Sequence, residues 1–183
     1  MSDDVAFGGV DTPVGRMLVA VTGIGLAAVG FDDSAAERAR LTELIGLPVE
    51  DDPARTAPAL EQVAAYFAGR LREFTVPIDW RLTSRLQRQV LATLHESVPY
   101  GEVVTYGGLG ERSGTGVPAR VIGQIMGSNP IPLVVPCHRV LAGNGLGGYS
   151  GGSGVEIKRW LLTLEGALPA TLDWDPDRGP VTL

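Results

Sequence analysis

The chain holds one cysteine, Cys137. One of its two histidines, His138, follows directly, and Arg139 comes next. A thiol attacks as the thiolate, and an adjoining imidazole or guanidinium favours that form. A lone cysteine is otherwise a small, inert core residue, so the surroundings decide between the two readings. The apolar run 131–135, bounded by Pro130 and Pro136, predicts a buried extended segment leading into the thiol. The loop that follows, 143–154, is too glycine-rich for a core element and suits close approach of a ligand to backbone. Glu165 ends a helical pattern, where a negative charge opposes the helix dipole by about 0.3–1 kcal/mol. Either it is a tolerated surface glutamate, or it is held there to orient something cationic or polar, with His138 the candidate.

The elements that must position these groups lie in a chain of 183 residues, enough for one good core or two small ones. With 44% hydrophobic and 20% charged residues the composition is globular, and no apolar stretch reaches the length of a membrane span. The start, Met1, Ser2, Asp3, Asp4, lacks the basic and apolar regions of a signal peptide, so the expected location is cytoplasmic. A single cysteine excludes an intramolecular disulfide and suits a reducing compartment. With only His95 and His138 beside it, no Cys/His zinc cluster can form, and neither metal nor cofactor is expected. The net charge of −6 argues against nucleic acid, but its distribution does not. Residues 1–80 balance at −7, 81–139 at +3 and the remainder at −2, so a basic middle carries the cysteine.

Residues 5–31 read as strands joined by glycine turns. Ser34 and Glu37 have capping-box spacing for a helix with Leu41, Leu44 and Ile45 inward. An acidic link, 48–58, precedes a second helix with Leu60, Val63, Ala64 and Phe67 on one face and Gly69 as its stop. Residues 74–80 read as extended. Residues 1–80 thus form a small α+β scaffold domain, and 81–183 a mainly helical one. The latter opens with a second capping box, Ser84 and Gln87, on a helix burying Leu86, Val90, Leu94 and Val98. A short helix after Thr105, a turn over 113–116 and a helix opened by Pro118 fit a helix-turn-helix, or equally an αα-hairpin that only packs. A last helix spans 155–165 with Ile157, Trp160, Leu161 and Leu164 on one face, and an irregular tail follows.

Pro136, Cys137, His138, Arg139 and Val140, with Asn129 and Pro130 before them and Tyr149 and Ser150 after, resemble the O6-alkylguanine-DNA alkyltransferase family. The ordered set Pro99, Tyr100, Gly101, Glu102, Tyr106, Arg120 and Glu165 completes the likeness. It is close over 80–166 and looser before that, at 12–15 and 65–69. The resemblance implies an α+β fold: a ribonuclease-H-like α/β domain over 1–80 and a DNA-binding, alkyl-accepting domain over 81–183. It implies irreversible, single-turnover transfer of an alkyl group from O6-alkylguanine, or O4-alkylthymine, in double-stranded DNA to Cys137, by a monomer. His138 would take the thiol proton through a water, Glu165 would orient His138, and Asn129 would brace the loop or the thiolate. Tyr106 would stabilise the leaving guanine. Arg120 would fill the space of the extruded base, with Tyr106, Ala119, Val121 and Gly123 also on the DNA side. Val140, Tyr149, Ser150, Pro132 and Arg139 would line the substrate pocket.

The chain departs from the family pattern at Val121 and Ile125, where alanine is usual, at Leu91, where tryptophan is common, and in a loop after Cys137 one residue shorter. The first bears on DNA affinity and the last on alkyl preference. Two other functions fit less of the chain: an alkyltransferase-like module that binds damage without repairing it, and a thiol acceptor for a small alkylating metabolite.

Overall fold

The computed structural model describes residues 3–147 and 154–180. The chain divides into two compact units, Met1–Leu82 and Thr83–Leu183. No helix among the described residues is long and apolar enough to cross a membrane.

In the first unit, β1 (Val5–Thr12), β2 (Gly15–Thr22) and β3 (Leu26–Gly30) form an antiparallel meander with order β1-β2-β3. Val5 pairs with Thr22 and Phe7 with Ala20, so alternate residues of the paired strands share a face. On one face Val5, Leu18, Ala20 and Ala28 meet Leu41 and Ile45 of α1 (Ala35–Ile45). The other face takes α2 (Pro53–Phe67), which comes close enough that a Cβ on Gly8 would lie 2.9 Å from the Leu60 and Thr56 side chains. Helices on both faces explain why six successive residues of β2, Met17 to Thr22, are buried rather than alternating.

Several expectations are corrected here. Ser34 caps α1 through the Glu37 amide, but the Glu37 carboxylate turns to Arg40. Leu44 is exposed. The helix α2 begins within the stretch read as a link, because Asp52 accepts from the Arg55 amide and Pro53 sits where its missing N–H costs nothing. Pro58 is inside that helix. Ile78, in the stretch read as extended, bridges Leu26 in parallel, and Trp80 opens a 3-10 turn.

In the second unit, the Ser84–Gln87 capping box is present and opens α3 (Arg85–Ser97). Its buried face is Val90, Leu91 and Leu94, while Leu86 is exposed. Strand β4 (Val104–Thr105) leads into α4 (Tyr106–Ser113), capped by the Thr105 hydroxyl on the Gly108 amide. Gly114, at φ 65°, turns the chain toward α5 (Ala119–Gly127). Together α4 and α5 make the helix-turn-helix arrangement. Ile125 is buried, so its bulk faces the core; Val121 is half-buried.

The run 131–135 is not extended. It forms a buried turn closed by the Val135 amide on the Ile131 carbonyl at 2.9 Å, with Leu133 at φ 74°. Residues 137–139 then form a 3-10 turn, followed by β5 (Val140–Leu141) paired parallel to β4. The last helix, α6 (Val155–Leu164), is followed by a tail over which the Trp160 indole donates to the Arg178 carbonyl.

The close seat of α2 makes Gly8 sensitive. Gly8→Val should destabilise the protein by roughly 1–3 kcal/mol through overpacking, read as a lower urea midpoint.

Candidate functional site

Every residue from Ile131 to Val140 is buried, so the backbone leading to the thiol needs internal partners. Asn129 supplies two: its side-chain oxygen accepts from the Ile131 amide and its amide donates to the Val135 carbonyl, both at 3.0 Å. His95 Nδ1 lies 3.0 Å from the Val134 carbonyl, an acceptor only, so that nitrogen carries the proton. Asn129 therefore ties the two ends of the turn together. His95 was not singled out in the sequence, where its place near the end of an amphipathic helix looks ordinary.

Cys137 is 3% exposed and His138 is fully buried. His138 Nε2 lies 2.7 Å from Glu165 Oε2, while Nδ1 is buried without a hydrogen-bond partner. Glu165, the C-cap of α6, is held again by Arg139, whose Nε and Nη2 donate to its two oxygens at 2.8 and 3.1 Å. The third guanidinium nitrogen donates to the Val98 carbonyl at 2.9 Å. The donors of Arg139, which the family resemblance puts in the pocket wall, are committed to Glu165 and Val98. These contacts also account for a carboxylate at a helix C-terminus. Two cationic or polar partners outweigh the dipole.

The charges settle into definite states. Burial pushes His138 below its ordinary value, outweighing Glu165, which favours the imidazolium; Arg139 and Lys158 add to the depression. For Glu165, burial alone would raise its pKa, but His138 and Arg139 together hold it far below the carboxylate range. Near neutrality the pair is thus a neutral imidazole donating from Nε2 to a carboxylate, which leaves the Nδ1 lone pair as an acceptor.

The short parallel ladder, Val104 to Val140 and Thr105 to Leu141, joins the segment before Tyr106 to the segment after the 3-10 turn. Tyr106 is half-buried at the head of α4, and a Cβ on Gly147 would fall 2.6 Å from its hydroxyl. Gly123 on α5 faces the same ring, a built Cβ lying 3.9 Å away. Ala119 and Arg120 are exposed on the first turn of α5. Pro132 and Val140 are buried, and Tyr149 and Ser150 lie outside the described residues.

The sequence reading missed Lys158, which is fully buried with Nζ 2.6 Å from the Val140 carbonyl. A signal existed. Lys158, Leu161, Leu162 and Glu165 have the spacing of one helical face, so a lysine and a glutamate bracket two leucines there.

A buried thiol on the residue before a buried imidazole that is bonded to a carboxylate, in one unit with a helix-turn-helix, has the components of a cysteine-dependent group-transfer site. The DNA-binding domain of 6-O-methylguanine DNA methyltransferase matches residues 85–167, and the ribonuclease-like domain of the same proteins matches 5–80. A methylated-DNA–protein-cysteine methyltransferase of Mycolicibacterium paratuberculosis is 40% identical over 157 residues, 85% of this chain and 89% of that protein. The crystal structure of Mycobacterium tuberculosis OGT in complex with DNA superposes with a TM-score of 0.74 at 35% identity, covering 89% of this chain and 94% of that one. An O6-methylguanine-DNA methyltransferase from the archaeon Pyrococcus kodakaraensis gives 0.62 at 25% identity, covering 88% and 99%. The chain belongs to the 6-O-methylguanine DNA methyltransferase family.

Glu165→Gln leaves Arg139 buried without its counter-charge and should cost roughly 3–5 kcal/mol at neutral pH. A carboxylate with a depressed pKa stabilises the fold fully above its ordinary value of 4.5 and progressively less below it. The difference between wild type and Glu165→Gln in urea midpoints should therefore narrow as pH falls below 4.5.

Proposed function

We propose that Cys137 accepts the alkyl group, that His138 takes its proton and that Glu165 orients His138. The family activity is DNA repair by direct transfer of an alkyl group from O6-alkylguanine to a cysteine, and it is the activity of this chain. The observation that carries the residue assignment is the bond from His138 Nε2 to Glu165 at 2.7 Å, with Nδ1 buried and without a partner on the next residue to the chain's one cysteine.

In this reading the thiol proton passes to Nδ1, directly or through a water, and the sulfur becomes the nucleophile. Sγ attacks the alkyl carbon, the S–C bond forms, and the C–O6 bond breaks with its electron pair passing to the purine. The imidazolium returns its proton as the guanine anion is neutralised. A thioether is a poor leaving group and no second nucleophile is invoked, so each molecule acts once. The depressed pKa of His138 keeps its acceptor nitrogen unprotonated near neutrality. Tyr106, at the head of α4 and against Gly147, would donate to the purine as charge spreads onto it.

The target atom lies within the duplex, so the base must leave the stack. Arg120, exposed beside Ala119 on the first turn of α5, would fill the vacated space, with Val121 and Gly123 following on the same helix. Pro132, Val140, Tyr149 and Ser150 remain the proposed pocket residues. Residues 1–80 would serve as scaffold and 81–183 as the DNA-binding and accepting domain of a monomer acting on double-stranded DNA.

Incubation with an O6-methylguanine duplex should add one methyl mass to the intact protein at Cys137, and Cys137→Ala should abolish the gain. A gel shift on damaged DNA without any mass gain would instead mark a binding module. Arg120→Ala should slow transfer from duplex by about tenfold or more, since unstacking costs a few kcal/mol, yet leave reaction with free O6-benzylguanine unchanged. Equal loss on both substrates would remove Arg120 from the extrusion step.

A further inference from the structure

The end of α3 holds the segment around Cys137 from two sides. His95 Nδ1 donates to the Val134 carbonyl at 3.0 Å, three residues before the thiol, and Arg139 Nη1, two residues after it, donates to the Val98 carbonyl at 2.9 Å. His95 is in the last turn of α3 and Val98 is its C-cap, so both bonds meet the same end of one helix. Leu91 and Val98, four residues before His95 and three after, are buried apolar side chains. An aliphatic residue would fill the place between them. The imidazole adds a donor there, aimed at a carbonyl of a buried segment that would be costly to leave unpaired.

The neighbouring carbonyls of that segment are met from within it or from its border. Ile131 accepts from the Val135 amide, and Val135 accepts from the Cys137 amide and from Asn129. The Val134 carbonyl is met from a different helix. Just before it, Leu133 holds φ 74°, a conformation that a non-glycine residue keeps only where its surroundings over-determine it.

We infer that His95 is a positioning residue for the alkyl transfer: through the Val134 carbonyl it holds the left-handed turn in the path that aims the Cys137 sulfur, while Arg139 fixes the chain beyond. The inference rests on Cys137 being the acceptor. His95 takes no part in the proton transfer and acts through the backbone alone. Without its bond the Val134 carbonyl is left to find another donor, and the turn shifts with it. A displacement of about 1 Å at a reacting atom can cost on the order of a hundredfold in rate.

This role sets the two histidines of the chain in opposite tautomers. His95 carries its proton on Nδ1, whereas His138 donates from Nε2 to Glu165. Nitrogen NMR spectra of the neutral imidazoles, assigned with His95→Asn, should show both forms, and an Nε2–H tautomer at His95 overturns the inference. His95→Leu keeps the bulk and removes the donor. It should slow the single-turnover rate constant at saturating O6-methylguanine duplex about tenfold, with DNA affinity unchanged. In His95→Asn the amide nitrogen stands one bond from Cγ, as Nδ1 does, and the rate should return to within about threefold of wild type. A bond that served stability alone would lower the urea midpoint of His95→Leu and leave its rate constant untouched, so a folded His95→Leu with the wild-type rate overturns the inference. A folded His95→Asn no faster than His95→Leu does the same. If His95→Leu does not fold, His95→Asn near the wild-type rate sustains the inference and a folded His95→Asn slowed about tenfold overturns it. The mass spectrum separates the two readings: no methyl on Cys137 sinks the acceptor assignment, whereas methylation of Cys137 at a rate indifferent to His95 sinks only this one.

Discussion

The site depends on one buried carboxylate. Glu165 is 5% exposed and fixes two neighbours of the nucleophile at once, the imidazole of His138 through one oxygen and the guanidinium of Arg139 through both. Each partner alone would be costly to bury. A lone arginine would carry an uncompensated charge, and a lone histidine would be free to adopt either tautomer. Sharing the carboxylate resolves both problems and sets which ring nitrogen is left to accept a proton. It also ties α6 to the 3-10 turn and, through the Val98 carbonyl, to the end of α3.

The approach to the nucleophile faces a backbone constraint of a different kind. Ten consecutive buried residues carry amides and carbonyls that neither solvent nor a sheet can satisfy, apart from the two-residue ladder at the end. Asn129 and His95 supply part of what a strand partner would otherwise provide, and Leu133 adopts a left-handed conformation that costs on the order of 1–2 kcal/mol. A bent, internally bonded turn can aim consecutive side chains to one side. An extended strand would send Cys137 and His138 to opposite faces.

Much of this was legible from residue types in order. The meander, the Ser84 capping box and the two short helices follow from turn residues and caps, and the pairing of Glu165 with His138 from one unusual charge placement, whereas Asn129 entered only through the family resemblance. The turn at 131–135 was not legible, because an apolar run between prolines has the same pattern whether it is a strand or a buried turn. Burial of Leu91 rather than Leu86 was obscured because both flank the Val90 and Leu94 stripe, Leu86 four residues before Val90 and Leu91 three before Leu94, and only the neighbours of α3 decide between them. Lys158 was hidden by its type. A lysine in a helix reads as a solvent-facing residue until the charge it faces is known. The bonds of Arg139 were hidden for a related reason: sequence adjacency to a cysteine does not say which way a long side chain turns.

The contact of Gly147 with Tyr106 makes the loop after the nucleophile uneven in what it can tolerate. At φ 71° and pressed against a phenol, position 147 has no room for any side chain, whereas a Cβ at Gly143 or Gly145 meets nothing within 4 Å. A glycine-rich stretch that looks uniformly permissive is thus divided into an anchor and a free rim. Diversity introduced by laboratory selection would accumulate at the rim, and an aromatic ring on a distant helix would act as the censor of the anchor.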